Sequence, residues 1–221
     1  MANSKNLERN KVIQSNYHNE VEVPDFPRIE KVVKMLSHKR PGKLLDVGYS
    51  KGSFADYLVK KGWDCTAIDI NKHEHPQIHS IQGDLNEGFP IEPESFDVVT
   101  AGEVIEHMLD EQAFVQECKR VLKKDGLLII TTPNLSFLAN RFLVLIGKMP
   151  MFVYAPYHYH CHTKKTIVEL LERQGFYVEK VISSHVLYSR RRHISGILFE
   201  WLGDLFPTFG AHLIVFAREK K

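Results

Sequence analysis

Residues 43–70 read KLLDVGYSKGSFADYLVKKGWDCTAIDI. An apolar run ends in an acid, Asp46, and Gly48 and Gly52 bracket a short loop. An amphipathic stretch then leads to a second apolar run ending in Asp69. Short β-type runs separated by helix-period segments predict a mostly parallel sheet covered by helices on both faces, an α/β class. Outward from this stretch the alternation continues. HSIQGD predicts a third strand, FDVVTAG a fourth, LLIITTP a fifth, and FYVEKVISSH and GAHLIVFAR two late ones. Helices are predicted over PRIEKVVKMLSHK, over EQAFVQECKRVLKKDG up to Gly126, and over TKKTIVELLERQG. In the last, Thr163 is the expected N-cap and Gly175 the stop.

The 221 residues suit one medium domain, with 43% hydrophobic and 25% charged residues. A net charge of +2 is too mild to argue for a nucleic-acid partner. Cys65, Cys118 and Cys161 lack metal-ligand spacing. Their odd, sparse count points to a reducing compartment, and with a polar first twenty residues a cytoplasmic location is expected. No apolar run has the length of a membrane span.

In parallel sheets ligands bind beyond the carboxyl ends of the strands, where Asp46, Asp69 and Asp84 fall. The loop lacks the G-x-x-x-x-G-K-[ST] phosphate cradle and the G-x-G-x-x-G dinucleotide turn. Asp46 would also set a carboxylate close to a pyrophosphate. S-adenosylmethionine fits better, because it has no phosphate and carries an ammonium and a sulfonium. Asp46 favours that cationic end, Asp69 suits the two ribose hydroxyls, and Asp84 suits the adenine amine.

LLDVGYSKGSF, AIDI, QGDL, FDVVTAGEVIEH and RVLKKDGLLIITTPN, in this order, resemble a class I S-adenosylmethionine-dependent methyltransferase of the ubiquinone-biosynthesis O-methyltransferase-like (type 11) group. The resemblance implies a Rossmann-like seven-stranded sheet with an antiparallel last strand. It also implies a cofactor site of Asp46, Gly48, Tyr49, Ser50, Gly52, Phe54, Asp69, Ile70, Asp84, Leu85 and Glu103. Ser50 departs from the family's D-x-G-x-G-x-G loop, where a glycine allows the backbone a closer approach.

A sulfonium methyl is already activated, so the protein positions a nucleophile and, for an oxygen acceptor, supplies a base. GEVIEHM, read as helix, places Glu103, Glu106 and His107 on one face. YAPYHYHCH, read as extended, turns His158, His160 and His162 one way and Tyr157 and Tyr159 the other. His107, Glu106, His158 and His160 are the catalytic candidates. E-x-x-E-H followed by a later histidine also resembles the divalent-metal site of small-RNA 2′-O-methyltransferases. The same string occurs in metal-free members of the group, so no metal is expected.

Three segments surround this single domain: an N-terminal helical part over 1–42, a lid-like insertion over 135–162, and a C-terminal insertion over 186–208. The lid is rich in Phe, Leu, Met and Tyr, and the last insertion opens on Arg190, Arg191 and Arg192. Both are expected to cover an apolar or lipid-like acceptor, touch a membrane surface or form a homodimer contact. The leading functional reading is methyl transfer to a small-molecule or lipid-like acceptor at oxygen. The alternatives are a metal-dependent RNA 2′-O-methyltransferase and a non-catalytic S-adenosylmethionine-binding protein.

Overall fold

A computed structural model describes residues 26–49, 54–153, 157–186 and 202–220. Its elements are α1 (Phe26–Ser37), β1 (Lys43–Val47), α2 (Phe54–Leu58), β2 (Asp64–Asp69), β3 (His79–Gln82), β4 (Phe96–Gly102), α3 (Glu111–Val121), β5 (Leu122–Pro133), α4 (Leu138–Leu145), α5 (Lys164–Arg173), β6 (Phe176–Ser183) and β7 (His212–Glu219). They build a seven-stranded sheet in the order β3-β2-β1-β4-β5-β7-β6. β1 to β5 run parallel, and β7 is antiparallel to both β5 and β6.

Successive strand residues serve opposite faces, as the pleat requires. Leu45, Val99, Leu128, Ile130 and Val215 pack with Phe114 and Cys118 of α3 and Ile167 and Leu171 of α5. Their neighbours Leu44, Val98, Leu127, Ile129 and Ile214 pack with Ile29, Val32 and Leu36 of α1 and Phe54 and Leu58 of α2. Both faces are thereby covered, which is why the strands read as continuous apolar runs.

The expected helix ends mostly hold. Gly62, at φ 87°, closes the turn after α2. Thr163 accepts from the Thr166 amide in a capping box at the start of α5. The helix expected to reach Gly126 instead stops at Val121. Leu122 pairs with Phe96 of β4, and Lys123 reaches Asp97 at 2.8 Å. Strand pairing thus overrides the helical propensity of this lysine-rich turn. The GEVIEH helix is also absent. Glu103 adopts φ 58°, its amide donates to Thr131 O, and Ile105–His107 forms a single 3₁₀ turn. The fourth strand's ladder continues one residue further and leaves no room for a helical start. Among the described residues no helix is long and apolar enough to cross a membrane.

Candidate functional site

The residues expected to take the cofactor lie at the carboxyl ends of β1, β2 and β3. Asp46 is buried, accepting from the Ala55 amide at 2.8 Å and from the Thr100 hydroxyl at 2.7 Å. It therefore holds the turn between β1 and α2 against β4. Gly48 has φ 76°, and a Cβ there would lie 2.3 Å from Val104 Cγ2, so only glycine fits. Tyr49 donates its hydroxyl to Asp56 at 2.7 Å and sets its ring edge-on to His73. Burial, aided by Asp56, raises its phenol pKa. Phe54 is buried against Gly102, beneath the Arg28 guanidinium, so it shapes the turn from within the core. Ser50 and Gly52 lie outside the described residues.

Asp69 ends β2, accepts from the Asn71 amide and lies 3.5 Å from His73 Nε2. Ile70 beside it is buried. Asp84 caps the short 3₁₀ turn Leu85–Glu87, accepting from the backbone amide and the side chain of Asn86. Leu85 leans on the core. A turn-forming role and a ligand-facing role are compatible for both acids, because a carboxylate has about four acceptor sites.

The second half lies at the ends of β4 and β5. The two glutamates expected on one helix face are held instead by neighbouring threonines of β5. Glu103 accepts from Thr131 at 2.9 Å and stands 3.7 Å from Arg28 and 3.5 Å from His212. Glu106 is 1% exposed and accepts from Thr132 at 3.2 Å through Oε2. Its other oxygen is buried with no hydrogen-bond partner. Burial above all, and then the charge of Glu103, push its carboxyl well above the ordinary range.

The alternation expected of YHYHCH holds. Tyr157 and Tyr159 are exposed, whereas His158 and His160 are half-buried and His162 is buried. The histidines nevertheless separate into two groups. His158 stands edge-on to His107, ring centres 4.7 Å apart, and His107 Nδ1 lies 3.0 Å from Tyr157 O. His160 and His162 stack on each other and both approach Glu111, at 3.4 and 3.3 Å. The amides of Tyr159 and His160 donate to Glu106 O, pinning this segment onto the 3₁₀ turn. Burial pushes the His158 imidazole down, and takes His162 to about 4.

Glu106, His107 and His158 each offer one ligand atom, all within 4.8 Å of one another, so they are able to hold a divalent ion. Glu103, the remaining member of the E-x-x-E-H string, is engaged with Thr131 and Arg28 instead.

Arg28, Thr100, Glu111, Thr131, Thr132 and His212 escaped the reading of the sequence. The TT pair at the end of the fifth strand was the one available signal, two hydroxyls at a carboxyl edge. Beyond the site, several apolar residues of the 135–162 segment, expected as a cover over the acceptor, face outward: Phe142 is 61% exposed and Leu145 81%. A small cavity between β5 and this segment is lined by Pro133, Leu135, Met151, Phe152, His158 and His160, among others. Most of the expected C-terminal insertion, with Arg190, Arg191 and Arg192, lies outside the described residues, as does most of the segment 1–42.

Comparison with known proteins agrees with this architecture. A family model described as a methyltransferase domain matches residues 23–181. A protein of Mycolicibacterium smegmatis named a probable S-adenosylmethionine-dependent methyltransferase is 31% identical over 166 residues, covering 71% of this chain and 61% of its own. The mitochondrial ubiquinone biosynthesis O-methyltransferase of Bos taurus is 29% identical over 220 residues, 89% of this chain and 57% of its own. This chain thus spans about three fifths of the length of these relatives. The solved 1,6-didemethyltoxoflavin-N1-methyltransferase of Burkholderia thailandensis, bound to S-adenosylhomocysteine, superposes with a TM-score of 0.62 at 16% identity, over 99% of this chain and 89% of its own. The family match takes in α1, all five parallel strands, α5 and most of β6, and the chain therefore belongs to the class I S-adenosylmethionine-dependent methyltransferases.

Proposed function

We propose that the chain transfers the methyl group of S-adenosylmethionine to an oxygen of a small-molecule acceptor. The observation that carries this reading is the adjacency of two sets of groups on one sheet edge. Asp46, Asp69 and Asp84 end the first three strands, and Glu106, His107 and His158 gather beyond the fourth. Asp69 takes the ribose hydroxyls, Asp84 the adenine amine, and Glu103 lines the methionine end. The acceptor oxygen attacks the methyl carbon in line with sulfur, the carbon–sulfur bond breaks, and the sulfur leaves as the neutral thioether. The acceptor's proton passes to an imidazole of the His107–His158 pair. Burial keeps His158 neutral, the form a base requires. Positioning the acceptor accounts for several kcal/mol of the barrier, about 7–11 at most. Closure of the 135–162 segment over the acceptor supplies part of that positioning, and ligand-dependent hydrogen exchange there reads it out.

Calorimetry with S-adenosylmethionine, S-adenosylhomocysteine and NAD tests the cofactor assignment. Binding of the first two and none of the third is expected, and tighter binding of NAD overturns the reading. One observation favours a second reading, in which a divalent cation sits among Glu106, His107 and His158 and binds the acceptor oxygen: the orphaned Glu106 oxygen. Turnover that survives EDTA supports the imidazole base. Turnover lost on chelation and restored by manganese selects the cation, and with it the RNA-modifying alternative gains ground.

A further inference from the structure

His73 lies just beyond the end of β2 and turns its imidazole back toward Asp69. The residue is held from two sides. Its backbone amide donates to Ser80 Oγ of β3 at 3.4 Å, and Tyr49 of the glycine turn stands edge-on to its ring, centres 5.0 Å apart. Tyr49 is itself buried and tied to Asp56. The direction of the imidazole is therefore set by the fold.

His73 Nε2 ends 3.5 Å from Asp69 Oδ1, longer than a nitrogen–oxygen hydrogen bond. That nitrogen is buried, and among the described residues it has no hydrogen-bond partner. A carboxylate beside it favours the imidazole form with the proton on Nε2. The structure thus aims a buried donor and a carboxylate at one point. The Asn71 amide takes one acceptor position of Oδ1, at 2.7 Å, and the carboxylate keeps others.

A group that satisfies both atoms must accept from the nitrogen and donate to the oxygen at once. An ammonium only donates, and a phosphate or carboxylate meets the charge of Asp69. An alcohol does both. An alcohol oxygen about 2.7 Å from the carboxylate and about 2.9 Å from the imidazole is the apex of a triangle on the observed 3.5 Å base.

We infer that His73 donates through Nε2 to one ribose hydroxyl of S-adenosylmethionine, the same hydroxyl that donates to Asp69. The inference rests on the assignment of Asp69 to the ribose and adds a second group that reads it. Loss of that hydroxyl leaves the buried Nε2 unpaired, so the site rejects a deoxyribose more strongly than a carboxylate alone would.

The test is calorimetry of the full chain and two variants with S-adenosylhomocysteine and with its 2′-deoxy and 3′-deoxy analogues. His73→Phe keeps a ring against Tyr49 and removes the donor. It is expected to weaken S-adenosylhomocysteine about five-fold, the size of one neutral hydrogen bond. The same weakening should persist with one deoxy analogue and vanish with the other, which lacks the hydroxyl that His73 reads. His73→Gln, whose side-chain amide stands near the place of Nε2, should stay within about two-fold of wild type. An unchanged melting temperature in both variants separates lost contact from lost fold. A His73→Phe effect that is absent, or equal with all three ligands, overturns the inference, as does a Gln variant as weak as the Phe variant. Should the wild type bind both deoxy analogues as tightly as the parent compound, the assignment of Asp69 to the ribose falls, and the inference with it.

Discussion

The two halves of the carboxyl edge hold their acids in different ways. At the ends of β1 to β3, Asp46, Asp69 and Asp84 each accept from a backbone amide: Ala55, Asn71 and Asn86. The amides of Asp69 and Asp84 lie only two residues along the chain and that of Asp46 nine, although Asp46 also accepts from Thr100 of β4. Beyond β4, Glu103 and Glu106 reach instead to Thr131 and Thr132, about 26 residues away or more. Adjacent strand residues face opposite sides of a sheet. The two glutamates therefore part, one toward Arg28 of α1 and the other into the layer beneath α3 and α5. In the first half each acid braces a turn through a backbone amide. The second keeps an orphaned carboxylate oxygen and two imidazoles, as proton or metal chemistry needs.

The largest effect should come from the brace of the first half. Asp46→Ala leaves the buried Ala55 amide without its acceptor and the Thr100 hydroxyl with Leu45 O alone, at 3.3 Å. Urea unfolding should show a loss of about 3–4 kcal/mol, with cofactor binding lost. A loss below about 1 kcal/mol would erase the distinction between the halves. Next is the acid stability of buried His162. His162, at about 4, lies below its ordinary value of 6.5, so the unfolded chain takes up the proton first as the pH falls. The associated stability is complete above pH 6.5 and is lost as the pH drops toward 4, by roughly 2–3 kcal/mol. Thermal unfolding of His162→Gln across that window should show a shallower pH dependence than wild type.

Asp69→Ala should weaken S-adenosylhomocysteine by about 1.5–3 kcal/mol in calorimetry. Its hydrogen bond to the Asn71 amide spans only two residues and is part-buried, beside His73 at 3.5 Å, so stability should change by only about 1 kcal/mol. A larger loss of stability than of affinity would make it a turn residue alone. The smallest effect carries the opposite sign. Glu106 has a raised pKa, so its folded form holds the proton and charging it costs stability as the pH climbs above the ordinary 4.5. Glu106→Gln should raise the melting temperature at neutral pH and lose that advantage in acid. A destabilised Gln variant at neutral pH would mean that the charged carboxylate is a structural partner.

The glycine turn was legible because its requirements are local. Gly48 must adopt a left-handed φ, and the acids follow apolar runs at strand ends. The strand periodicity and the Thr163 cap were legible for the same reason. GEVIEH misled because three- and four-residue spacing suits a helix, while pairing of the Glu103 amide with Thr131 extended the strand. The helix end at Val121 was hidden likewise, since pairing of Leu122 with Phe96 depends on a distant segment.

The amino-acid order by itself determined the alternating elements, the glycine turn and the acids at the first three strand ends. Those follow from backbone sterics, burial and hydrogen bonds within a few residues. Tertiary structure alone decided that Glu106 is buried with one oxygen unpaired, that His158 meets His107 while His160 and His162 turn to Glu111, and that α4 faces outward. Each depends on which distant chain segment supplies the neighbouring group. Desolvation and pairing across the fold set those energies, and no local periodicity encodes them.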